Sequence, residues 1–435
     1  MDKPRGPVIS TPTVRNAVFV LGGNAVKLGL GFVATVGLAR AIGPAEFGIY
    51  TLAMNLVLVI SSAGDLGLNT SFVRLFVRKT TTGDPDSRPF LQRMVAIRLA
   101  MSGGLFLLCL LALPVAGAWI VGESVPPSLL RIASIVVLAD SVFVLSLALL
   151  QAEQKFGKLS VLNIVINVLR VALLAMFYFL GVLTSVTAIV TIVLSSSAIA
   201  GIVFATEHGY RPIVAVRESV QDFKTLFFWG RWLSLMAVAN ILYVRLDVVL
   251  LGYFKVDRAA IGNYALAYAF AWAVVAFQPA MMTLLLPKVS SITTVDTLRS
   301  YVRRASIVSA GAIPALVLFA VAVDFFLGWF YGSQYPQAAA IFPYLAAGFA
   351  VTLVATPFCA LSMTIDRPQI LAFQNIVGLV VVLILGLFLI PRMGILGCAV
   401  SVFVSRLISE GAAVFTVFLM IRRRESFGHP EGADQ

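Results

Sequence analysis

Runs longer than the ~18 apolar residues that mark a membrane span follow one another along almost the whole chain. Short polar stretches rich in Lys, Arg, Gly and Pro separate them. The pattern predicts twelve helices at approximately Asn16–Ala39, Ala45–Phe72, Val95–Val121, Ser128–Leu150, Leu159–Leu180, Ser185–Ala205, Trp232–Phe254, Ile261–Leu286, Ile307–Tyr331, Ala338–Ile365, Ile370–Ile390 and Ile395–Met420. The second and tenth runs are long for a span of ~20 residues, which predicts tilt or projection beyond the bilayer. The runs are continuous, so the short alternating segments of a transmembrane barrel are absent. The fold class is an all-α polytopic membrane protein.

Composition agrees. Of 435 residues, 60% are hydrophobic and 12% charged, against about 25% charged in a soluble domain. Cys109, Cys359 and Cys398 sit inside apolar runs, with no disulfide or metal spacing. The two histidines, His208 and His429, lie in polar stretches, which argues against zinc or His-base chemistry. The first 15 residues lack the apolar core of a cleavable signal, so the first span is expected to stay in the protein.

Lys and Arg in the connections set the direction. With the N-terminus inside, the inner connections carry Arg74, Arg78, Lys79, Arg88 and Arg93, then Lys155 and Lys158, then Arg211, Arg217, Lys224 and Arg231. Lys288, Arg299, Arg303 and Arg304 follow, then Arg367, then Arg422, Arg423 and Arg424. The outer side has Arg40, Arg131, Lys255, Arg258 and Arg392. Both termini are therefore expected in the cytoplasm. The net charge of +12 reads as this topology signal plus attraction to anionic lipid, with no nucleic-acid partner.

The longest inner connection divides the chain. The expected organisation is a six-helix bundle over 1–206, a cytoplasmic linker over 207–231, a second six-helix bundle over 232–421 and a cytoplasmic tail over 422–435. A repeat supports the division. With Gly48 over Gly262, Ala45, Tyr50, Leu52 and Ala53 fall on Ala259, Tyr264, Leu266 and Ala267, and Arg74 on Lys288. Later, "LLQAEQKFGKLSVLNIV" (149–165) aligns with "LSMTIDRPQILAFQNIV" (361–377), setting Asn163 over Asn375 and Lys155 over Arg367. Six spans is an even number, so the halves run parallel about an axis along the membrane normal. "GPAEFGIYTLAM" is expected to form a tight outer turn, with Tyr50 and Tyr264 in the interfacial belt.

"LARAIGPAEFGIYTLAMNLVLVISSAGDLGLNTSFVR" (38–74) resembles the N-terminal signature of the polysaccharide-biosynthesis flippases, the Wzx-type or O-antigen transporter branch of the multidrug/oligosaccharidyl-lipid/polysaccharide exporter superfamily. "YVRLDVVLLGYFKVDRAAIGNYALA" (243–267) resembles that family's seventh span and following hairpin. The resemblance implies two bundles around a central cavity. It implies movement of an undecaprenyl-pyrophosphate-linked oligosaccharide, an O-antigen, exopolysaccharide or capsule repeat unit, from inner to outer leaflet by alternating access. Glycan polymerase and chain-length machinery are the implied protein partners.

Charges inside spans are the candidate chemistry, because each costs roughly 2.5–3.5 kcal/mol on insertion scales unless it has a partner or a wet cavity. Lys27, Arg170 and Arg245 are central in spans one, five and seven. Arg98 is near the inner end of span three, where interfacial anchoring competes. Arg406 and Glu410 stand four apart and can pair on one helix face. Asp247 is two residues from Arg245 and on a different face. Cations around one cavity suit a pyrophosphate, and Asn163, Asn240 and Asn375 offer hydrogen bonds to sugar or to neighbouring helices. Asp140, Asp247 and Glu410 are the candidates for proton or Na⁺ coupling. Arg74 and Lys288 flank spans and are placed at the cytoplasmic mouth. Asp65 and Asp324, near span ends, read as capping or interface groups. No cofactor is expected, and without a GxxxxGK[ST] loop neither is ATP hydrolysis.

Three rivals remain. A MATE-type drug or cation antiporter would want an acidic cavity, whereas these spans supply central cations. A lipid II flippase would have fourteen spans. A membrane glycan polymerase or ligase would carry a large external loop with reactive residues, and the outer connections here are a few residues long.

Overall fold

The computed structural model describes residues 11–426, apart from 66, 211, 214, 277, 279–280, 283–284, 286–287, 290–291, 293 and 364–368. His429, Arg211, Arg367 and the end of the tail thus lie outside the described residues. The described chain is helical: α1 (Thr11–Asp65), α2 (Leu68–Thr81), α3 (Ser87–Val121), α4 (Pro127–Ala152), α5 (Phe156–Phe179), α6 (Ser185–Thr206), α7 (Val216–Tyr253), α8 (Arg258–Val275), α9 (Val295–Tyr331), α10 (Pro336–Ala360) and α11 (Gln369–Ser426). A helix satisfies its own backbone hydrogen bonds, as a chain in hydrocarbon must. Nine stretches among the described residues are long and apolar enough to cross a membrane. Two of them hold two spans each. α1 breaks at Gly43 (φ 78°, ψ 170°) and α11 at Gly394 (φ 57°, ψ −132°). With α8, this accounts for twelve spans in a multi-pass membrane protein.

Both long runs contain a helix end. The second stops at Asp65, where Gly67 takes a left-handed conformation (φ 64°) and α2 begins. The tenth ends at Ala360, followed by a short 3₁₀ turn at Leu361–Met363. Other ends carry ordinary caps. Thr184 and Thr187 form a capping box on α6, Thr294 and Thr297 on α9, and the Asp257 carboxylate accepts from the Ala259 and Ala260 amides at the start of α8.

The chain forms two compact units. The first comprises 1–41, 60–116 and 127–234; the second comprises 42–59, 117–126 and 235–435. In the first, α4 packs on α2, α5 and α6. Its core includes Phe72, Phe90, Met94, Leu149 and Tyr210. In the second, α10 packs between α8, α9 and α11, with Tyr264, Phe342 and Phe349 fully buried. Outward faces of both units are apolar. In the first unit Leu111 of α3 is 76% exposed, and in the second Leu318 and Phe325 of α9 are 71% and 75% exposed. Such surfaces suit acyl chains, since water-facing patches of this kind are rare.

The repeated hairpins meet within the second unit. A Cβ on Gly48 would overlap the Arg258 carbonyl, and one on Gly262 would overlap the Pro44 carbonyl. Pro44 and Arg258 are themselves equivalent in the repeat, so each glycine lies on the other hairpin's matching backbone. The stretch is a helix-packing element as well as a turn. Tyr264 is also not in an interfacial belt: it is fully buried, because its hydroxyl serves a buried acid.

Candidate functional site

In the first unit, three helices bring three of the sequence candidates into one electrostatic cluster. Lys27 on α1, Asp140 on α4 and Arg170 on α5 each feel the other two. Arg170 donates from Nε to the Ser195 hydroxyl at 3.1 Å and from a terminal nitrogen to Ser196 at 3.2 Å, both on α6. Lys27 is exposed at this position, while Asp140 and Arg170 are half-buried. Two cations therefore surround one carboxylate in the middle of apolar helices.

Arg98 is placed differently from its expected interfacial anchoring. Its guanidinium is 3% exposed and 2.8 Å from Asp65. Asp65 is accordingly an ion-pair partner rather than a cap or interface group. Asn163 and Asn167 donate to the Leu159 and Asn163 carbonyls one turn back on their own helix, and so do not bridge helices by those groups. Asn375 is half-buried; Asn240, Arg74 and Lys288 are exposed.

In the second unit, Arg245 on α7 donates to the Asn55 side-chain carbonyl at 3.2 Å. Asn55 is oriented by its own donation to Thr51 O at 2.8 Å. Asp247, two residues on, points to the other side. It is 2% exposed and accepts from Tyr264 at 2.5 Å and from the Val248 amide at 2.8 Å. Arg406 and Glu410 do not form the direct pair that their spacing allows. Arg406 donates to Thr352 at 3.1 Å, with its guanidinium 3.9 Å from the Phe349 ring centroid and 5.5 Å from that of Tyr243. Glu410 shares Thr352 as a partner and meets the Cys359 thiol at 3.7 Å. Thr352, on α10, stands between the two charges. Glu410 lies on the wall of a cavity of about 890 Å³, otherwise lined by groups such as Leu316, Val351, Phe358, Phe403 and Leu407.

Several connection cations that read as topology signals are engaged in ion pairs at one polar end of the first unit. Arg93 holds Asp86 at 2.8 Å and Asp222 at 2.6 Å, and Lys79 holds Asp84 at 2.8 Å. Lys155 and Lys158 each reach Glu207 at 2.5 Å, and Arg88 reaches Glu153 at 2.6 Å. The Arg93 guanidinium holds the Asp86 carboxyl below the usual range, and the Lys155 ammonium does the same to Glu207.

Sequence reasoning missed Thr352, Tyr264 as the partner of Asp247, and the rings around Arg406. The spacing Tyr264, Tyr268, Trp272 was a visible signal, since it lines one face of α8.

The profile of the family described as polysaccharide biosynthesis protein matches residues 37–340. The chain belongs to this family. It is 21% identical over 396 residues to a protein provisionally named as a low-salt glycan biosynthesis flippase in Haloferax volcanii, covering 89% of this chain and 79% of that one. It is 22% identical over 408 residues to a protein provisionally named as an O-antigen transporter in Shigella flexneri, covering 89% of this chain and 93% of that one. Its fold is that of the lipid II flippase MurJ in an inward closed conformation (TM-score 0.72, 15% identity, 93% of this chain and 87% of that chain). It is also that of an inward-facing MATE multidrug transporter (TM-score 0.74, 12% identity, 95% and 100%).

Proposed function

We propose that this family member is a flippase for a lipid-linked oligosaccharide, carrying an undecaprenyl-pyrophosphate-linked O-antigen, exopolysaccharide or capsule unit from the inner to the outer leaflet by alternating access. The observation that carries the reading is Arg245. It sits in mid-span, half-buried, with a neutral amide rather than a carboxylate as its hydrogen-bond partner. A guanidinium kept there fits a doubly charged phosphate group as its second partner. Lys27 and Arg170 supply the same chemistry in the first unit, and a cation exporter would want the opposite sign. The names of the two relatives support the glycan part.

The protein acts without covalent chemistry on its substrate, as a transporter in a bacterial inner membrane with both termini cytoplasmic. The Lys and Arg bias of the connections supports that orientation. Coupling to protons or Na⁺ would run through Asp140, Asp247 or Glu410. Glu410 is favoured, because it borders a cavity while Asp247 is enclosed by Tyr264. Glycan polymerase and chain-length machinery would act on the delivered unit. Conditional depletion tests the function. Lipid-linked glycan should accumulate in the inner leaflet of depleted cells; normal glycan export together with altered drug resistance would overturn it.

A further inference from the structure

Three rings on one face of α8 form a graded series. Tyr264 is fully buried, Tyr268 is half-buried, and Trp272 is 40% exposed. The Tyr268 and Trp272 rings are nearly parallel, 13° apart in plane with centroids at 6.2 Å. Both are fixed from behind. Tyr268 donates to the Val244 carbonyl of α7 at 3.2 Å. The Phe349 ring of α10 stands edge-on to Tyr268 at 5.3 Å (85°) and to Trp272 at 5.6 Å (87°). The Arg406 guanidinium rests on Phe349 in turn. Trp272 thus has a locked orientation, a free surface and a cation two layers behind it.

Two ordinary roles fit poorly. A packing tryptophan would be buried. A lipid-facing one would resemble Trp329, 72% exposed, whose ring partners among the described residues are Phe326 and Phe330. A rigid indole with a negative face attracts the polarised C–H groups of a sugar ring, as it attracts cations, at little cost in side-chain entropy.

We propose that the Trp272 indole, braced by Tyr268 and Phe349, is the surface on which a pyranose ring of the lipid-linked glycan stacks. This rests on the flippase reading and adds a subsite that recognises sugar rather than pyrophosphate. Phe349 and Arg406 act as positioning residues behind it.

The test uses the full chain in nanodiscs and two probes: undecaprenyl pyrophosphate carrying a chitobiose disaccharide, and the same lipid without sugar. In a variant with Trp119, Trp229, Trp232 and Trp329 replaced by Phe, the remaining indole should change its fluorescence with the sugar-bearing lipid only. In the otherwise unaltered protein, Trp272→Ala should weaken binding of the sugar-bearing lipid about tenfold and leave the sugarless lipid unaffected, while Trp272→Phe keeps most of the preference. Equal binding by Trp272→Ala and the unaltered protein overturns the stacking role. Equal loss of both lipids overturns it too, by showing a packing defect. If the unaltered protein binds neither lipid, the flippase reading falls and the subsite with it.

Discussion

Gly48 and Gly262 occupy matching places in the two halves of the sequence, and each lies on the backbone carbonyl of the residue four before the other. The reciprocity is what two parallel copies of one hairpin produce when they cross about a shared axis. Adding a methyl group at either point forces backbone apart, an overpacking cost of about 1–3 kcal/mol. Gly48→Ala and Gly262→Ala should therefore lower the melting temperature of the purified protein. Gly311→Ala, with open space around it, should leave it unchanged or raise it. Equal melting temperatures for all three would show that the crossing is not tight.

Tyr264 is the side-chain donor to a buried carboxylate oxygen of Asp247. Tyr264→Phe leaves that oxygen without its partner, a loss of roughly 1–3 kcal/mol. The variant should insert but melt earlier, and Asp247→Asn combined with Tyr264→Phe should recover part of the loss. A double-mutant cycle on thermal unfolding measures this; a coupling near zero would contradict the hydrogen bond.

The Glu207 carboxyl is held below its ordinary value by Lys155 and then Lys158. A depressed acid contributes stability above its unfolded value, about 4.3 for Glu, and that contribution disappears as pH falls through the folded value. Melting temperature should be flat between about pH 7 and 5 and decline below about 4.3. Glu207→Gln should melt earlier at neutral pH and show a shallower acid decline. Matching acid profiles would remove Glu207 from the account.

Glu410 borders the apolar cavity, and Thr352 links it to Arg406. If protons are coupled there, Glu410→Gln should bind lipid-linked glycan normally but no longer respond to an imposed pH gradient in a liposome assay. An unchanged response would move coupling to Asp140 or Asp247.

Much of the architecture was legible because hydrocarbon leaves few alternatives. A long apolar run must be a helix, and twelve of them could be counted. The breaks were harder. The left-handed Gly67 breaks the second run between Asp65 and α2, and the small polar residues around it, Ser61, Ser62, Asn69 and Ser71, did not interrupt the run strongly enough to show it. In the site, the central positions of Lys27, Arg170 and Arg245 were visible as charges deep in spans. Their partners were not, because a neighbour such as Asn55 for Arg245 lies 190 positions away. Arg98 shows the same limit in reverse, since its position suggested the interface and its contact with Asp65 is an ion pair. Arg406 and Glu410 had the right spacing for each other, yet Thr352 from another helix intervenes.

The central claim is that span cations carry a lipid-linked pyrophosphate glycan across the membrane. The most direct measurement is leaflet exchange of fluorescent undecaprenyl-pyrophosphate-linked disaccharide in proteoliposomes. The unaltered protein should speed exchange well above empty vesicles, and Lys27→Ala, Arg170→Ala and Arg245→Ala should each lose most of it while still reconstituting. Full exchange in all three variants, or none with the unaltered protein, would contradict the account.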